Sequence, residues 1–130
     1  GAQNPRTNKK VMPTLLAEAK QLCTQIYLDE KLKDYILNII FTSRFPEKRG
    51  LTDLKTYIQV GGSPRATIFM AKAGRAHALL NGRTYVSPDD IKAVCYDVLR
   101  HRLILTYEAE ANDITPEAII RKILDVVEVP

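Results

Sequence analysis

The chain has 130 residues, 45% of them hydrophobic, with 19 Lys+Arg against 15 Asp+Glu and a net charge of +4. These proportions describe one soluble globular domain and exclude a chain disordered throughout. No apolar run approaches the roughly 18 residues of a membrane span, no apolar leader core follows the polar start, and Cys23 and Cys95 lack metal-ligand spacing, which suits a reduced, cytoplasmic setting.

Residues 1–12 hold Asn4-Pro5 and three cations with little to bury, as a linker does. From Pro13 the spacing predicts a helix whose stripe is Leu15, Leu16, Ala19, Leu22, Cys23 and Ile26, with Cys23 as a small core residue. Tyr27-Leu28 reads as a short extended break. Asp29 then caps a second helix running to about Ser43, with Leu32, Tyr35, Ile36, Ile39 and Ile40 facing inward. Residues 44–60 lack a period and read as a packed loop with a helical turn near Asp53. In Gly61-Gly62-Ser63-Pro64-Arg65 the glycines free the backbone as spacer and hinge, Ser63 suits an N-cap and Pro64 the first helical position. The helix that follows, to about Asn81, is rich in alanine and about 27 Å long, so its neighbours can approach closely and it should be central. Asn81-Gly82 stops it.

Tyr85-Val86 is a second extended pair. Ser87-Pro88-Asp89-Asp90 then opens a helix in capping-box style, with Ile91, Val94, Cys95 and Val98 inward. An acidic, exposed stretch from Tyr107 to Asp113 precedes a last helix started by Thr115-Pro116-Glu117, with Ile119, Ile120, Ile123 and Val127 on one side. The expected fold is all-α, a small bundle of about five helices, with Tyr27-Leu28 and Tyr85-Val86 pairing as a minimal two-stranded ribbon.

Chemistry-bearing motifs are few. GxxxxGK[ST], GxSxG, HExxH and paired Cys/His ligands are absent, so the chain by itself is a poor catalyst. His77 and His101 read as structural or surface residues, and Asp89 and Asp90 as acids favoured by a helix dipole. Arg65 is the exception, because a cation in the first turn of a helix opposes the dipole. Two readings stand. Arg65 is a solvated surface residue, or it joins free N–H groups and the dipole in binding an anion such as a phosphate, with Gly61-Gly62 letting the ligand approach the main chain. The clusters Arg44, Lys48, Arg49, Lys55 and Arg100, His101, Arg102 read as solvated surface, with histone-like nucleic-acid binding as the competing view.

The order GGSPRA (61–66), GRTYVSPDD (82–90) and LRHRL (99–103) resembles the C-terminal lid of MoxR-type AAA+ ATPases, and the resemblance extends over Val11 to Pro130. It implies a helical lid, residues 13–130, joined by linker 1–12 to an ATPase core that is not in this sequence. The lid would close over ATP, with Mg held by that P-loop core, and Arg65 would match the sensor-2 arginine beside Gly62, Ser63 and Pro64. No metal site is implied for the lid itself. The resemblance also implies ring assembly with neighbouring subunits, commonly a hexamer, and chaperone-like remodelling of clients such as von Willebrand A-type proteins. A protein-interaction module working through Tyr107 to Asp113 is the alternative from another class.

Overall fold

The computed structural model describes residues 5–130, with side chains from Thr14 onward. In chain order the helices are α1 (Pro5–Thr24), α2 (Glu30–Arg44), a 3-10 turn (Pro46–Arg49), α3 (Thr52–Tyr57), α4 (Arg65–Leu80), α5 (Pro88–Arg100), α6 (Tyr107–Ala111) and α7 (Pro116–Val126). Strands β1 (Ile58–Val60) and β2 (Ile104–Leu105) form an antiparallel ribbon in which Ile58 faces Leu105 and Val60 faces Ile104.

Polar side chains fix the helix starts. The Ser87 hydroxyl accepts from the Asp90 N–H while Asp90 Oδ2 accepts from the Ser87 N–H at 2.7 Å, a complete capping box for α5. Thr106 and Thr115 accept from the N–H groups of Ala109 and Ala118, both at 3.2 Å, and so start α6 and α7. Asp29 occupies the N-cap of α2 without a side-chain bond to the backbone. Gly82, at φ +72°, ends the α4 segment in a left-handed turn that a side chain would strain.

Burial follows the helical period. On α2, Leu32, Tyr35, Ile36, Ile39 and Ile40 are buried, and on α5 so are Ile91, Val94, Cys95 and Val98. α4 buries Ala66, Met70, Gly74 and Ala78, one side chain per turn and mostly small. It lies against α1, α2 and α5 and is the centre of the bundle; α7 closes the far side against α2 and α5. Burial pushes the Cys95 thiol up to about 12, so it is an inert core group.

Four differences from the sequence reading have physical reasons. Helix α1 begins at Pro5 rather than Pro13: an interior proline removes one hydrogen bond and strains the turn without forbidding a helix. Residues 5–12, assigned to the linker, are thus helical, and residues 1–4 lie outside the described residues. The α1 stripe is not core, since Leu15 and Leu16 are 51% and 57% exposed, Leu22 is exposed too, and Cys23 is half-buried. Only Ile26 at its end is buried, because α1 meets the bundle chiefly along α4 and nothing described covers the rest. The extended pairs meet as expected, through a parallel bridge in which the Tyr27 N–H donates to Thr84 O at 2.9 Å and the Val86 N–H to Tyr27 O at 2.8 Å. The antiparallel ribbon lies elsewhere; α3 is the helical turn expected near Asp53, and α6 makes a short helix of part of the acidic stretch 107–113.

The buried Tyr35 hydroxyl has no hydrogen-bond partner among the described residues, and burial, then the nearby Cys95 and Asp89, pushes it up to about 12. Tyr35→Phe removes that unmatched group and keeps the ring, so thermal unfolding should stay level or gain up to about 1 kcal/mol. A clear fall in stability would show that the hydroxyl has a partner after all.

Candidate functional site

The start of α4 is built on the end of α2. Ser43, fully buried, donates its hydroxyl to Ile40 O at 2.6 Å and accepts the Gly62 N–H at 2.9 Å. Gly61 lies so close that an added Cβ would fall 2.3 Å from Ser43 O, and one on Gly62 would fall 3.2 Å from Leu99 Cδ2 on α5. The two glycines are therefore wedged between helices and are not a hinge. Close packing requires them, and the Gly62 N–H already has its acceptor. Gly61→Ala should cost about 1–3 kcal/mol, because the neighbour it would meet, the Ser43 carbonyl, is backbone and cannot swing aside. Urea unfolding measures it, and an unchanged midpoint would mean that the two segments separate freely.

The helix begins one residue later than Ser63 capping requires. Ser63 is exposed and its hydroxyl makes no cap bond; its carbonyl accepts the Ala66 N–H at 2.9 Å. Pro64, at φ −55° and ψ −25°, is already helical, and its carbonyl accepts the Thr67 N–H and hydroxyl. Arg65 is then the first residue of α4. It is exposed, and among the described residues it makes no ion pair or hydrogen bond. The side chain reaches solvent at the positive end of a 16-residue helix.

The basic clusters divide in the fold. Arg44 and Lys48 lie 5.5 Å and 5.0 Å from the Phe45 ring centre, and Arg49 lies 4.9 Å from that of Phe41. Arg100 is neutralised, its Nε donating to Glu117 at 2.6 Å and its Nη1 to Asp97 at 3.2 Å, and the Glu117 hydrogen bond raises its pKa. Arg102 instead packs 4.3 Å from the Phe69 ring centre. His101 caps the end of α5 and is exposed.

The buried acid was the group missed in the sequence. Asp90 is fully buried and takes Arg83 across both oxygens, with Arg83 Nη2 to Oδ1 at 2.6 Å; His77 Nδ1 lies 2.5 Å from the same Oδ1. This clamp ties the end of α4 to the start of α5. Among the described residues no group of three or more His, Cys, Asp or Glu could hold a metal ion. No described helix is long and apolar enough to cross a membrane.

A family model for the AAA lid domain matches residues 51–123, which takes in the glycines, Arg65, the clamp and most of α7. The chain belongs to the AAA lid domain family. Within it the lid is similar to MoxR proteins. It is 37% identical to the chaperone MoxR1 of Mycobacterium tuberculosis over 100% of this chain and 34% of that protein. It is 39% identical to the protein MoxR of Methylorubrum extorquens over 56% of this chain and 22% of that protein. A crystal structure of a candidate ATPase from Cytophaga hutchinsonii superposes with a TM-score of 0.82 at 42% identity, over 85% of this chain and 33% of that one. The lid thus spans about a third or less of the length of these relatives.

Proposed function

We propose that this lid closes over ATP held by a separate P-loop core of the same polypeptide and that Arg65 is its sensor-2 arginine. The observation that carries the reading is the exposed guanidinium on the first residue of α4, which pairs with no acid among the described residues. An anion docking there meets the helix dipole and a planar donor fork together, which reverses the cost of placing a cation at that end. As charge builds on the transferring phosphate, a fixed guanidinium stabilises it without reorganising. Ser63 and Pro64 shape the entry to the helix, and Gly62, held by Ser43, anchors that entry to α2.

The parent reading is a MoxR-type AAA+ ATPase, cytoplasmic and assembled in a ring, commonly a hexamer. It would remodel clients such as von Willebrand A-type proteins in a chaperone-like way, with Mg bound by the core. The similarity to the chaperone MoxR1 over the whole chain supports this. The 130 residues alone, without a Walker motif, should not turn over ATP. The test is turnover and nucleotide affinity of Arg65→Ala with the core present; no change in either removes the assignment.

A second reading has its own observation. Tyr107, 83% exposed, stands at the start of α6 beside exposed Glu108 and Glu110, a surface suited to a protein partner. Reversing both glutamates to lysine should abolish capture of such a partner, and unchanged capture counts against it.

A further inference from the structure

The LRHR segment at the end of α5 holds one cation that the lid reading leaves unused. Arg100 is occupied by Glu117 and Asp97. Arg102 is held differently: its guanidinium lies 4.3 Å from the Phe69 ring centre, and Nη1 donates to Val98 O at 3.1 Å. Those two contacts fix the side chain. Its Nε and Nη2 donate to nothing among the described residues, and no carboxylate there pairs with it. A half-buried guanidinium fixed in place, with part of its fork unused, is set up to receive an anion.

Arg102 also lies on the side of α4 that carries Arg65. Phe69 follows Arg65 by four positions and shares its face of α4. Gly62, just ahead of that helix, lies against Leu99 of α5, so the end of α5 sits at the start of α4. Two cations, one opening α4 and one in the turn after α5, therefore lie on one side of the bundle, and neither is paired with an acid among the described residues.

We propose that Arg102 is a second nucleotide ligand of the lid, gripping the phosphate chain with a fork that Phe69 holds in place. The inference rests on the reading of Arg65 as the sensor. Phe69, on which Arg102 stacks, stands about 6 Å further along α4 than Arg65, the rise of four residues, so Arg102 is assigned to a phosphate other than the terminal one. Its loss should then weaken ATP and ADP alike, whereas loss of Arg65 weakens ATP selectively.

The test uses the polypeptide with lid and core together, titrated with a fluorescent ADP and a fluorescent non-hydrolysable ATP analogue. Arg102→Ala should weaken both about tenfold. Phe69→Leu, which keeps the charge and loses the stack, should weaken both by about threefold, and Arg102→Lys should fall between. Unfolding curves are recorded alongside. If Arg102→Ala and Phe69→Leu lower the melting temperature while the folded protein binds both nucleotides normally, Arg102 only packs and the proposal is overturned. If Arg65→Ala weakens ATP while Arg102→Ala and Arg102→Lys change nothing, this proposal alone falls. If Arg65→Ala is silent and Arg102→Ala weakens both nucleotides, Arg102 stands as a ligand and the sensor assignment falls.

Discussion

Arg65→Ala, in a polypeptide that carries the P-loop core, should lower ATP turnover about a hundredfold or more, the scale of losing one fixed donor to a developing phosphate charge. The helix start survives, because Pro64 and Ser63 make its first turns through their carbonyls and the Arg65 side chain has no partner to lose among the described residues. Stability should therefore be unchanged, which separates chemistry from folding. Arg65→Lys should recover only part of the activity, since an ammonium keeps the charge but not the planar fork. Steady-state phosphate release with parallel thermal unfolding measures both. Normal turnover by the alanine variant would mean that the exposed guanidinium is solvated surface.

Asp90→Ala should cost about 3 kcal/mol, the usual penalty for removing one partner of a buried pair, and lower the melting temperature by roughly 10 °C. The variant leaves Arg83 and His77 facing a void and the Ser87 N–H without its acceptor. Acid acts on the same group. Burial by itself would raise the Asp90 pKa, but hydrogen bonds from Arg83, the Ser87 backbone and His77 outweigh it and hold the carboxyl well below the ordinary range. The folded value lies below the unfolded one of about 4. The stabilisation is therefore complete above that range and is lost as pH falls below about 4 toward the folded value. Urea unfolding at pH 7 and pH 3 should show a larger loss for the natural chain than for Asp90→Asn. Equal losses would mean that other carboxylates govern acid unfolding.

What the sequence disclosed depended on whether the cause was local. Ser87 to Asp90 is a capping box readable from four adjacent residues, and Gly82 is a stop readable from one. The inner faces of α2 and α5 follow from period alone. The Asp90 clamp was not legible, because its partners lie 7 and 13 residues away and meet only when α4 turns back into α5. An acid at a helix start already had a sufficient explanation in the dipole, which hid its burial. The ribbon escaped notice because strands of three and two residues carry no period. The α1 stripe misled in the other direction: its spacing is amphipathic, yet spacing cannot say whether the surface it addresses belongs to this bundle. At the candidate site, the position of Arg65 at a helix start was legible, and the fold leaves it exposed there; the stack of Arg102 on Phe69 was not, since it joins α4 to the turn after α5.

The wedged glycines also decide how this unit can move. Gly61 lies against the carbonyl of Ser43, and Gly62 sits between Ser43 and Leu99, so the chain cannot swivel there without prising α2 from α4. The Tyr27–Tyr85 bridge pins the entrance of α2 to the turn before α5 in the same way. From Tyr27 onward the helices are thus tied into one body, with Arg65 exposed on its surface. On the proposed reading, a phosphate that met the guanidinium would act on this whole body and not on a loop of its own, and the uncovered leucines of α1 would lie where the body joins its surroundings.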